Sequence, residues 1–117
     1  MDFTDYLGRP YDEYNCWTIV RSIFADMKNI ELDSDIYKAS IDFVEIWYDS
    51  GQEISPEILM PYDILSMRRY RPYIEHVGLV VDAGRFLHAR PRTGVVIEPI
   101  SRWAHKVVQV ARHKYLQ

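Results

Sequence analysis

The sequence predicts an α+β domain in which N-terminal helices pack on an antiparallel sheet of about five strands. Two patterns carry that expectation. Before Pro61 the apolar residues recur at gaps of three and four, the spacing of one helix face. After it they gather in short runs rich in Val, Ile and Leu, several of them separated by Gly or Pro. Helices first and strands second is the order of an α+β layout. With 117 residues the chain has room for one core, and residues 1–117 read as a single domain without repeat or linker.

Gly8-Arg9-Pro10-Tyr11 reads as a turn. Cys16, Ile19, Val20, Ile23, Phe24 and Met27 then form one helix face, and Asn15 is a good N-cap immediately before it. A second helix is expected from Asp35 to about Tyr48, its apolar side built from Ile36, Ala39, Ile41, Phe43, Val44, Ile46 and Trp47. Asp33 or Ser34 would cap it and Gly51 would end it. Ser55-Pro56-Glu57 suits a short helical turn. Strands are expected at Asp63 to Met67, Glu75 to Val81, Arg85 to Ala89, Val95 to Pro99 and Val107 to Arg112, joined as a meander.

Composition excludes several function classes. The 14 basic and 17 acidic side chains give a net charge of −3, so no global positive field gathers nucleic acid. No apolar stretch approaches the ~18 residues that span a bilayer, and the first five residues are acidic rather than a secretory leader. The expectation is a protein that is cytoplasmic when synthesised, with no membrane partner and no cofactor. A single cysteine, Cys16, rules out an intramolecular disulfide. Such a residue is more often a small buried hydrophobe than a nucleophile, so its neighbours decide its role.

The hairpin between the second and third expected strands places two histidines together. Asp82-Ala83-Gly84 suits a three-residue loop with Gly84 at the left-handed position. Val81 then pairs with Arg85, Gly78 lies opposite His88, and His76 lies opposite Arg90. Because side chains alternate, His76, Gly78 and His88 share one face, and the two imidazoles become diagonal neighbours across the gap left by Gly78. A two-residue loop would put them on opposite faces. A functional pair and two separately satisfied strand histidines both fit these features.

Cys16 stands at the start of the first helix, where unpaired amides and the helix dipole favour a thiolate. Packing that turn on the sheet would bring Cys16 to His76 as nucleophile and base, leave the Cys16 N–H for an oxyanion, and let His88 orient His76. Cys, His and His also make an acceptable zinc set. That reading ranks lower, because no local ligand pair accompanies the distant cysteine; no metal is expected.

The chain resembles the NlpC-type peptidoglycan cysteine peptidases, the NlpC/P60 superfamily, from Tyr6 to about Trp103. The resemblance is carried in order by Leu7-Gly8-Arg9-Pro10-Tyr11, Asn15-Cys16-Trp17, Pro61-Tyr62-Asp63-Ile64-Leu65, His76-Val77-Gly78-Leu79-Val80, Gly84-Arg85-Phe86-Leu87-His88-Ala89 and Gly94 to Ile100. It implies a papain-like fold and a Cys–His–polar triad of Cys16, His76 and His88, with Tyr11 matching an active-site tyrosine. It further implies hydrolysis of a stem-peptide bond in peptidoglycan through an acyl-enzyme. The family usually has Asp and Ser around the cysteine to hold a free amine; here Asn15 and Trp17 stand there, and Asn15 cannot neutralise an ammonium. Tyr62 stands where Gly is usual. The Asn-Cys-Trp form resembles short members associated with phage or prophage tails, which implies tail proteins as partners and delivery to the wall on a virion.

Three hypotheses follow: a cell-wall hydrolase, a catalytically silent tail assembly component on the same fold, and another thiol acyl-transferase or amidase. Arg90 and Arg92 suit either a grip on a substrate carboxylate or a loop salt bridge. Arg68-Arg69-Tyr70-Arg71-Pro72-Tyr73 suits a solvated loop better than a polymer contact. Trp17, Trp47 and Trp103 read as core or rim aromatics, and His105 and His113 as incidental.

Overall fold

The computed structural model describes residues 2–68 and 74–116. The long helix α1 spans Cys16–Lys28 and a one-turn helix α2 spans Ile36–Ala39. The strands are β1 (Phe43–Tyr48), β2 (Ile64–Arg68), β3 (Ile74–Asp82), β4 (Arg85–Arg90), β5 (Gly94–Pro99) and β6 (Val107–His113). They form one antiparallel sheet in the order β1-β6-β2-β3-β4-β5. The basic, aromatic run noted in the sequence lies, apart from Arg68, outside the described residues.

α1 forms for the expected reasons. The Asn15 side chain accepts the N–H groups of Trp17 and Thr18, Ile19, Val20, Ile23 and Phe24 are all fully buried, and Asn29 closes the helix in the left-handed conformation. That apolar face packs on one side of the sheet with Ile64, Val77, Leu79, Leu87, Ala89 and Val95. A second core covers the other side, built from Leu65, Met67, Val80, Phe86, Val107 and Val110 under Ile100 and Trp103.

The second expected helix is corrected. It stops at Ala39 after one turn, capped by Asp35, and Phe43–Tyr48 is a strand paired with β6 from Phe43↔His113 to Tyr48↔Gln109. The register shifts between Glu45 and Trp47, so Ile46 is an extra residue, and both Ile46 and Trp47 pack on the second core. That bulge breaks the alternation of a strand and leaves the apolar spacing of a helix in the sequence. The strand-forming content of Phe-Val-Glu-Ile-Trp-Tyr prevails because β6 offers a pairing edge. The meander holds only for β2 to β5; β6 returns across the sheet to lie between β1 and β2.

Tyr62 keeps a backbone conformation that favours glycine, with φ of 74°. Its ring is buried against Phe3 and Phe24, and this packing offsets the strain. Next to it Asp63, wholly buried, takes both Nε and Nη2 of Arg112 at 2.8 Å, and Arg112 also reaches the Ile58 carbonyl. This two-pronged pair ties the loop before β2 to β6.

Candidate active site

The β3–β4 hairpin sets the site. Its turn is corrected to two residues, Ala83 and Gly84, closed by the Asp82↔Arg85 pair. Gly84 lies outside the left-handed region; the Asp82 carboxylate shapes the turn by accepting its N–H at 3.0 Å and pairing with Arg85. A shift between Val80 and Asp82 inserts Val81 as an extra residue, so the strands continue as Val80↔Phe86 and Leu79↔Leu87. Bulge and short turn together restore the register of a three-residue loop. His76 and His88 therefore share a face, and His76 Nε2 lies 2.7 Å from His88 Nδ1. The gap at Gly78 is filled by Phe86 rather than by the imidazoles: a Cβ there would sit 2.5 Å from the Phe86 ring. Phe86 in turn stacks on His88, with ring centroids 4.4 Å apart.

His88 is wholly buried, and its Nε2 lies 2.8 Å from Oε2 of Glu98 on β5. The same oxygen accepts the indole N–H of Trp103 at 2.6 Å, and Oε1 accepts Arg90 Nη1 at 2.9 Å. Burial pushes the His88 pKa down despite Glu98, so the ring is held neutral. Burial also opposes ionisation of Glu98. The hydrogen bond from His88, the charge that ring carries when protonated, the hydrogen bond from Trp103 and the charge of Arg90 outweigh it, and the carboxyl is held below its usual range. Beside the pair, a cavity of about 200 Å³ is lined by His76, Trp103, Met67, Arg68, Arg90 and Lys106.

Cys16 is the first residue of α1, half-buried at the margin of the helix-side core. The histidines face the opposite side of the sheet, with Phe86 and Trp103. Trp17 lines a small cleft with Ile64 and Ser66, whose partners on β3 are Leu79 and Val77, and Phe24 and Lys28 lie against Tyr62, whose N–H reaches Val80. The segment leading to Cys16 is held to β5 by a two-bond bridge, Gly8 N–H to Val95 O and Val95 N–H to Arg9 O.

The other sequence-derived residues divide. Tyr11 packs half-buried beside the helix-side core. Asn15 spends its side-chain oxygen on the helix cap, and Trp17 donates its indole N–H to the Asp33 carbonyl. Arg90 is taken up by Glu98 and by the face of Trp103, which is the salt-bridge alternative. Both nitrogens of His88 are engaged, by His76 and Glu98, so a zinc ion on that ring would have to displace one of these hydrogen bonds. His113 is not incidental: it is buried among Phe24, Phe43 and Tyr115 and accepts the Tyr115 N–H.

Glu98 and Trp103 are the residues that sequence reasoning misses as members of the site. A signal for Glu98 exists. Pro91-Arg92-Thr93 joins β4 to β5 as a three-residue loop, Arg90 pairs with Gly94 and His88 with Val96, and the diagonal neighbour of His88 on the same face is Glu98. Trp103 closes the short helical turn Ile100–Arg102 that follows β5 and carries no comparable signal.

The family model described as the NlpC/P60 family matches residues 5–112. Among solved structures, the NlpC/p60 domain of the peptidoglycan hydrolase SagA is similar at 16% identity with a TM-score of 0.65, covering 92% of this chain and 90% of that one. A Staphylococcus aureus Mu50 protein described as similar to a lipoprotein of the NLP/P60 family is similar at 21% identity with a TM-score of 0.66; 93% of this chain is covered, and it spans 38% of that chain. No curated protein matches. Over nearly its whole length, from before the helix that begins at Cys16 to the last strand of the sheet, the chain belongs to the NlpC/P60 family.

Proposed function

We propose that the protein is a cysteine peptidase that hydrolyses an amide or isopeptide bond in the stem peptides of bacterial peptidoglycan. Cys16 is the nucleophile, His76 the base, and His88 the residue that orients His76. The Cys16 sulfur attacks the carbonyl carbon while His76 takes the thiol proton, then returns it to the leaving amine. Water, activated by His76, cleaves the acyl-enzyme and restores the thiol. The Asn15 cap uses the N–H groups of Trp17 and Thr18; the Cys16 N–H is the amide assigned to the oxyanion.

The observation that carries this reading is the 2.7 Å contact between His76 and His88, in a chain whose one cysteine opens the capped helix α1. Family membership, and the hydrolase named for the similar SagA domain, support the substrate. Asn15 spends its side-chain oxygen on the helix start and Trp17 gives its indole N–H to the Asp33 carbonyl, which favours a substrate whose recognition does not depend on a free N-terminal amine. The same reading places the enzyme on a phage or prophage tail, as an antibody against it applied to purified virions would reveal. The decisive test is digestion of purified peptidoglycan, with released muropeptides identified by mass spectrometry. Cys16→Ala is expected to abolish release with the melting temperature unchanged, and undiminished release would remove the assignment.

A further inference from the structure

We propose that Glu98 is a positioning residue for the histidine pair. Its carboxylate, anchored by Trp103 and Arg90, fixes the tautomers of His88 and His76 so that neutral His76 carries its lone pair on Nδ1. The inference rests on the hydrolase reading above, because it concerns the same base, but its test is separable from hydrolysis.

The proton positions follow from which groups can only give and which can only accept. An ionised carboxylate only accepts, and an indole N–H only donates. Oε2 of Glu98 lies 2.8 Å from His88 Nε2 and 2.6 Å from Trp103 Nε1, so both of those nitrogens bring a hydrogen. A neutral imidazole has one N–H. His88 therefore presents a lone pair at Nδ1, which lies 2.7 Å from His76 Nε2, and His76 must be the donor in that contact. With its hydrogen on Nε2, neutral His76 is unprotonated at Nδ1, the nitrogen left to act as base. Two premises are needed, a charged Glu98 and a neutral His88. The surroundings favour both: Arg90 on Oε1 at 2.9 Å and the Trp103 N–H on Oε2 at 2.6 Å stabilise the carboxylate without any charge on His88, and burial keeps His88 uncharged.

Glu98 also fixes orientation. Arg90 engages one carboxylate oxygen and Trp103 the other, so the group cannot rotate without losing a hydrogen bond. Trp103 is itself covered by Arg90 and Lys106 and meets the His88 ring edge-on at a centroid distance of 5.0 Å. The site thus extends from His76 through His88 to a carboxylate with little exposure, 12% of its side chain.

The test is Glu98→Leu. A glutamine would keep its oxygen under the two donors His88 Nε2 and Trp103 Nε1, whereas leucine offers no acceptor, so nothing then holds the His88 hydrogen on Nε2 and the pair samples both tautomers. Imidazole nitrogen NMR of the Cys16→Ala protein, recorded above the range in which histidines titrate, reads the tautomers without needing activity. Nε2–H is expected for both rings, giving way to a mixture with Nδ1–H on His76 when Glu98→Leu is added. On a soluble stem peptide, Glu98→Leu alone is expected to lower kcat on the order of 100-fold with KM little changed, the signature of a misplaced base proton. Trp103→Phe keeps the carboxylate and its tautomers and is expected to lower kcat less than about tenfold. Unchanged tautomers and kcat in Glu98→Leu would overturn the proposal. So would a His76 protonated on Nδ1 with Glu98 intact, a result that holds even if Glu98→Leu fails to fold. Stated tautomers without any hydrolysis would instead sink the hydrolase reading and leave the role of Glu98 standing.

Discussion

Each face of the sheet buries one histidine, and the two have opposite surroundings. On the helix side His113 is 2% exposed among the rings of Phe24, Phe43 and Tyr115, with a backbone N–H as its hydrogen-bond donor. On the far side His88 is wholly buried, with an imidazole on one nitrogen and a carboxylate on the other. Burial lowers the pKa of both. Burial and a shifted titration are therefore poor markers of function here. What separates the rings is whether their nitrogens connect to further titratable groups: His88 links His76 to Glu98, whereas the His113 bond ends on the backbone.

The sharpest break of this comparison is in activity. His88→Ala is expected to lower kcat on muropeptide release about 100-fold or more, whereas His113→Phe keeps it within about twofold. Equal losses in both variants would erase the distinction. Next in size is Gly78→Ala. Its Cβ would lie 2.5 Å from the Phe86 ring, which stacks on His88, so the core must shift. A loss of about 1–3 kcal/mol in denaturant unfolding is expected, accompanied by reduced kcat. Asn15→Ala probes the helix-side anchor, since it removes the cap that holds the first turn of α1. It is expected to cost about 1 kcal/mol by thermal unfolding.

The smallest effect is a slope. Both histidines have folded pKa values below the ordinary value of about 6.5. In the window between the folded values and about 6.5, the unfolded chain binds protons that the native state refuses. Stability is thus fully present above about pH 6.5 and falls as pH drops through that window. His113→Phe is expected to flatten the melting-temperature profile there without abolishing it, because His88 retains its share. An unchanged slope would show that His113 is as easily protonated folded as unfolded.

Much of the scaffold was legible because its determinants are local. α1 needed only Asn15 and an apolar face of Ile19, Val20, Ile23 and Phe24. β2 to β5 needed short apolar runs and nearby turns. The facing of His76 and His88 came out correctly although the turn did not, since the extra residue Val81 offset the shorter loop. Glu98 escaped because its place beside His88 depends on the register of the β4–β5 hairpin, ten residues further along the chain. Trp103 escaped because a helical turn after β5 carries no pairing rule.

The sequence alone determined the elements whose interactions close within a few residues: the capped helix that begins at Cys16 and the hairpins of β2 to β5; the shared face of the two histidines needed the bulge at Val81 as well. Tertiary structure decided that Phe43–Tyr48 is a strand, that His113 is buried, and that β6 lies between β1 and β2. The physical reason is separation along the chain. Capping and alternation are set by neighbouring residues, but pairing β1 with β6 depends on which distant edge is open once the sheet has assembled.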